Sequence, residues 1–86
     1  MYSIIIERNA LKSLAIIPDK DATKIVNAID ELAENARPNG VKKMKRYDDL
    51  YRIKVGNYRV IYEIYDGELS IIVVEIGHRK EVYRDL

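Results

Sequence analysis

Two dipeptides constrain this chain more than any other feature: Gly56-Asn57 and Asp66-Gly67. Both tolerate the positive φ that two-residue hairpin turns require. Each stands between runs of strand-forming residues, so residues 50–79, LYRIKVGNYRVIYEIYDGELSIIVVEIGHR, read as three short antiparallel strands. The turns set the register. With Gly56-Asn57 as a loop, Val55 faces Tyr58, Lys54 faces Arg59, Ile53 faces Val60, Arg52 faces Ile61 and Tyr51 faces Tyr62. With Asp66-Gly67 as a second two-residue loop, Tyr65 faces Glu68, Glu63 faces Ser70, Ile61 faces Ile72 and Arg59 faces Val74.

Side chains alternate across a strand. One face of the first hairpin then carries Tyr51, Ile53, Val55, Tyr58, Val60, Tyr62 and Ile64, a core face. The other carries Arg52, Lys54, Arg59 and Ile61. Like charges directly opposite each other destabilise a sheet, and Lys54 and Arg59 are such a pair. Two readings stand at this point. Arg52 and Lys54 can be solvated cations that discourage strand addition at a sheet edge, or the face can be a site for something anionic. Arg59, on a central strand and facing Val74 in this register, fits the second reading better.

Upstream, residues 2–7 (YSIIIE) read as a strand with Tyr2, Ile4 and Ile6 on one face. Residues 9–16 read as a short helix that Pro18 stops, because the residue before a proline avoids the helical region. Residues 19–36 carry Ala22, Ile25, Val26, Ile29, Leu32, Ala33 and Ala36 at helical spacing, an apolar stripe. Asp19 and Asp21 are placed to cap this helix and complement its dipole, and Pro38 and Gly40 end it. Residues 41–47 are a basic connection with room for a short strand, and residues 80–86 a polar tail. The order βααβββ predicts an α+β fold, a two-helix hairpin on one face of a mainly antiparallel sheet.

At 86 residues, with 48% hydrophobic and 34% charged content, the whole chain (1–86) is one domain. The absence of cysteine and the single histidine exclude a disulfide framework, a thiolate metal site and a multi-histidine metal site. No apolar run has the length of a membrane span and the N-terminus lacks a signal-peptide pattern, so a cytoplasmic location without membrane contact is expected. The net charge of +1 hides an asymmetry: residues 42–59 hold seven cations against two carboxylates, a net +5 that leaves −4 for the rest. A basic patch on a nearly neutral chain points to an anionic partner.

The order strand–helix–helix–three strands, with YRIKVGNYRVIYEI and the closing IGHRKEVY, resembles the RelE/ParE toxin superfamily across essentially the whole chain, and the RelE branch in particular. The resemblance implies a toxin of a type II toxin–antitoxin system, a ribosome-dependent endoribonuclease that cuts messenger RNA in the ribosomal A site and is neutralised by a RelB-like antitoxin. No cofactor or metal is implied. Matched residue by residue, the family's catalytic pattern falls on Arg52, Lys54, Arg59, Arg79 and Tyr83. Arg52 departs from the lysine of the best-known members, and guanidinium and ammonium are not equivalent. The segment between Arg79 and Tyr83 is shorter than usual, and His78 stands where another basic residue is common.

The implied reaction is attack of a ribose 2′-hydroxyl on the adjacent phosphate, giving a 2′,3′-cyclic phosphate and a free 5′-hydroxyl. It needs a base, cations for the phosphorane and an acid for the leaving oxygen. Under the resemblance Lys54, crowded by like charges, is the candidate base. Arg52 and Arg59 hold the phosphate with forked donors. Arg79 serves the leaving group, Tyr83 stacks on a base, and His78 is a supporting or alternative acid–base group. Lys42, Lys43, Lys45 and Arg46 supply salt-sensitive contacts to ribosomal RNA. The competing branch, ParE, has the same fold but binds and inhibits DNA gyrase without cleaving nucleic acid. The set Arg52, Lys54, Arg59, Arg79 and Tyr83 favours RelE.

Overall fold

In the computed structural model, which describes residues 1–44 and 50–78, everything is arranged around one strand, the alternating YRVIYEIY. The elements in chain order are β1 (Ser3–Ile6), α1 (Arg8–Ala15), α2 (Asp19–Leu32), β2 (Lys42–Lys43), β3 (Leu50–Val55), β4 (Tyr58–Tyr65) and β5 (Ser70–His78). They form one five-stranded sheet in the order β1, β5, β4, β3, β2. All neighbours are antiparallel except β1 and β5. The parallel pair exists because the helical hairpin carries the chain away after β1, and β1 then pairs with β5.

The β3–β4 hairpin has the register that Gly56-Asn57 predicts, from Val55 opposite Tyr58 to Tyr51 opposite Tyr62, with Gly56 at φ 60°. The second hairpin does not. Tyr65 pairs with Ser70, so the loop holds four residues, 66–69, and Leu69 takes the positive φ of 51°. A bulge then shifts the ladder: Tyr62 pairs with Val73, but Ile61 pairs with Glu75, leaving Val74 as the extra residue. The expected facing pairs Arg59–Val74 and Ile61–Ile72 are therefore replaced by Arg59–Gly77 and Ile61–Glu75. The physical reason is parity. Without the bulge, Glu75 and Gly77 would share the helix-side face with Ile71 and Val73, burying a carboxylate. With it, Ile76 enters the core, 1% exposed, and Glu75 turns to the other side.

Both helices lie on one face of the sheet, α1 against β5 and α2 against β3. Their contact surface is apolar: Ala10, Ile25, Ile29 and Leu32 pack with Val60, Tyr62, Ile71, Val73 and Ile76. The stripe of α2 is narrower than its spacing predicts, since Val26 is exposed. The helix also ends at Leu32 rather than at Ala36. Ala36 is buried nonetheless, and its carbonyl accepts the Tyr62 hydroxyl at 2.8 Å. Asp19 and Asp21 sit in the first turn of α2 and make no side-chain cap bond, so they act on the helix through its dipole. Among the described residues no helix is long and apolar enough to cross a membrane.

A polar brace ties the loops at one end of the sheet. Arg37 Nη2 donates to Asp66 Oδ2 at 3.0 Å, the Tyr2 hydroxyl donates to Asp66 Oδ1, and the Arg37 guanidinium lies 5.2 Å from the centre of the Tyr51 ring. Tyr51 in turn stacks on Tyr62.

Candidate active site

The face of the sheet away from the helices carries the basic residues. Arg52 and Lys54 stand on β3 and Arg59 on β4, at the parity opposite to Ile53, Val55, Val60 and Tyr62. Lys54 is exposed, Arg52 half-buried, and Arg59 only 5% exposed. Strand β2 adds a fourth cation, because Lys42 pairs with Arg52. Lys43 pairs with Tyr51 and belongs to the other parity. The two loop lysines thus differ in register, which their adjacency in sequence does not reveal.

Two rows result. Lys42, Arg52, Ile61 and Glu75 run across four strands; Lys54, Arg59 and Gly77 run across three. With strands about 4.8 Å apart, the first row spans roughly 14 Å, the scale of a few nucleotides. Ile61, in the middle, is 1% exposed although it lies outside the helix-side cluster. Arginines suit phosphate because their forked donors match its oxygens, and a guanidinium buried in a sheet has few orientations to lose on binding.

His78 is elsewhere. It pairs with Tyr58 and makes an edge-to-face contact with that ring at 5.9 Å between centroids. Both line a cavity of about 240 Å³ with Ile17, Pro18 and Ile76, on the helix side. The structure therefore unites Arg52, Lys54, Arg59 and Lys42 and separates His78 from them. Arg79, Tyr83, Lys45 and Arg46 lie outside the described residues. Sequence reasoning missed Glu75, which the register of a two-residue turn would set opposite Tyr58 on the core face. The available signal was that this assignment buried a carboxylate and a glycine beside Ile71 and Val73.

A family model described as the ParE toxin of type II toxin–antitoxin systems matches residues 4–83. The chain belongs to the RelE/ParE family of type II toxins. Among curated members of this family, toxin RelE3 of Methanocaldococcus jannaschii is 32% identical over 84 residues, covering 93% of each chain. Toxin RelE of Mycobacterium tuberculosis is 29% identical over 84 residues, covering 96% of this chain and 87% of that protein. The fold agrees as well. An archaeal RelE–RelB complex from Pyrococcus horikoshii superposes with a TM-score of 0.81 at 26% identity, covering 91% of this chain and 94% of the other. The RelB–RelE complex from Methanococcus jannaschii gives 0.77 at 29% identity, covering 95% and 98%. The toxins of these complexes share the two helices on a five-stranded, mostly antiparallel sheet.

Proposed function

We propose that this toxin is a ribosome-dependent endoribonuclease that cuts messenger RNA in the A site by 2′-hydroxyl attack, and that a RelB-like antitoxin holds it inactive. The observation that carries the reading is the position of Arg59: a nearly buried guanidinium on the sheet face away from the helices, with Lys54 directly opposite and Arg52 one row away. Arg52, Lys54 and Arg59 together are suited to bind a phosphodiester and offset the charge that grows on the phosphorane. The RelE names of the curated relatives support the cleavage, and the RelB partners in the solved complexes support the antitoxin. By the resemblance, Arg79 and Tyr83 complete the site at the leaving group and the base. Lys42, Lys43, Lys45 and Arg46 add affinity for ribosomal RNA. The working place is the cytoplasm, where ribosomes are.

The family model carries the ParE name, which favours a second reading: binding and inhibition of DNA gyrase without cleavage. One experiment separates the two. After induced expression in cells, messenger 5′ ends are mapped and plasmid supercoiling is assayed in the same samples. New messenger ends in the reading frame with supercoiling intact fit the nuclease. Intact messenger with supercoiling lost fits the gyrase reading.

A further inference from the structure

A cleft of about 250 Å³ opens beside Lys54, where the end of β3 meets the end of α2. Its origin is local. The ladder that sets Lys42 opposite Arg52 would, two residues further back, bring Gly40 level with Lys54. The chain does not continue that ladder. Pro38 has no N–H to donate, Gly40 takes a φ of 86°, and the Val41 N–H donates to the Pro38 carbonyl at 3.1 Å to close a turn. Strand β2 therefore starts at Lys42, and a gap remains between this turn, β3 and the last turn of α2. Leu32 and Ile53, both buried, supply its apolar lining.

The charged groups of the cleft have opposite signs. Lys54 is exposed and belongs both to the basic face and to the cleft. Glu31 lines the α2 side, and the last turn of α2 carries no cation. The partial negative charge at a helix C-terminus acts in the same direction as the Glu31 carboxylate. A phosphate is therefore attracted to Lys54 and kept out of the cleft itself. What the cleft suits is uncharged, flat and able to donate hydrogen bonds. Its volume is below the roughly 300–1,000 Å³ of sites for drug-sized molecules, and is room for one ring system.

We propose that this cleft seats the base of the messenger nucleotide whose phosphate lies at Lys54, and that Glu31 makes cleavage selective against uracil. The inference rests on the nuclease reading above and adds to it the residue that sets sequence preference. A carboxylate only accepts hydrogen bonds. Adenine, cytosine and guanine each offer it an exocyclic amino group. Uracil has none, and carbonyl oxygens flank its N3–H on both sides. Uracil therefore sets an acceptor against Glu31, and repulsion replaces a charge-assisted bond. Asn39, at the same cleft, carries both a donor and an acceptor and adapts to any base. Bases splayed from a single strand are read on their edges in this way.

The test uses purified ribosomes with messengers that differ only in the A-site codon, each of its positions set in turn to A, C, G or U. Single-turnover cleavage at saturating toxin is measured for wild type, E31Q and E34Q, with a melting curve for each. Glu31 is exposed, so the change to Gln leaves the core intact. At one codon position wild type should cut uracil codons at least about tenfold more slowly than the others. In E31Q, whose amide donates as well as accepts, that gap should close through faster cutting at uracil. E34Q removes the same charge three residues on, outside the cleft, and should keep the gap. Equal treatment of uracil by wild type at every position overturns the proposal. So does an E31Q that keeps the gap, or an E34Q that loses it as E31Q does. Wild-type protein that cuts no codon at all overturns the nuclease reading itself.

Discussion

Lys54 and Arg59 stand directly opposite each other in the β3–β4 ladder. Such a pair is unfavourable in the free protein and becomes favourable when an anion lies between the two side chains. Stability and activity should therefore part at this position. Lys54→Ala relieves repulsion and removes a phosphate contact. Its melting temperature should hold or rise by a few degrees, about 4–8 °C per kcal/mol for a domain of this size. Cleavage on saturated ribosomes should fall by roughly 10²-fold or more. Thermal melts and single-turnover rates on the same preparation check it, and a variant that melts lower while cutting normally contradicts it.

The register separates two adjacent lysines. Lys42 lies beside Arg52, Lys43 beside Tyr51. Lys42→Ala should weaken ribosome binding and reduce the salt slope of binding by about one. Lys43→Ala should reduce it less. Neither should change the cleavage rate once ribosomes are saturated. Binding measured over a series of salt concentrations decides between this and a diffuse basic field, in which both lysines count equally.

The brace at the far end of the sheet is acid-sensitive. Hydrogen bonds from Arg37 and then from Tyr2 hold the Asp66 carboxyl below its ordinary value of 3.8, and the same contact with Asp66 pushes the Arg37 guanidinium up. A depressed carboxyl contributes stability that is fully present above its unfolded pKa and is lost as pH falls through the folded one. The contribution is thus intact at neutral pH and disappears below about pH 4. Asp66→Asn should lower the melting temperature at neutral pH and flatten its fall in acid. A parallel acid profile for wild type and variant would contradict the brace.

Ile29 is 1% exposed at the centre of the helix–sheet contact. Ile29→Ala should cost about 2–5 kcal/mol, and Ile29→Asp should unfold the domain because it buries an unpaired charge. Denaturant titration of the first and circular dichroism of the second check this. Native-like stability in Ile29→Asp would mean that α2 does not pack as described.

Much of this architecture was legible in the sequence because its signals are local. Gly56-Asn57 fixes one hairpin by backbone chemistry, and the spacing of Ile25, Ile29 and Leu32 fixes the buried side of α2. The cationic triple Arg52, Lys54 and Arg59 followed from alternation alone. What was not legible depends on contacts far apart in the chain. The loop at residues 66–69 is longer than Asp66-Gly67 implies, and Asp66 is engaged by Tyr2 and Arg37. The bulge at Val74 is set by which side of β5 the helices cover, so neither Glu75 nor the Arg59–Gly77 pairing could be read from turn chemistry. His78 lies on the helix side for the same reason, through its pairing with Tyr58.

The central claim is that the basic face of the sheet cuts messenger RNA in the A site. Purified ribosomes programmed with a defined messenger, saturated with wild-type toxin or with Arg52→Ala, test it most directly. The fragment ends are mapped and their terminal groups identified. The account predicts a break within the A-site codon, a 2′,3′-cyclic phosphate on the upstream fragment, a 5′-hydroxyl on the downstream one, and a rate roughly 10²-fold lower for Arg52→Ala. Messenger that stays intact while wild-type toxin occupies the ribosome would contradict it.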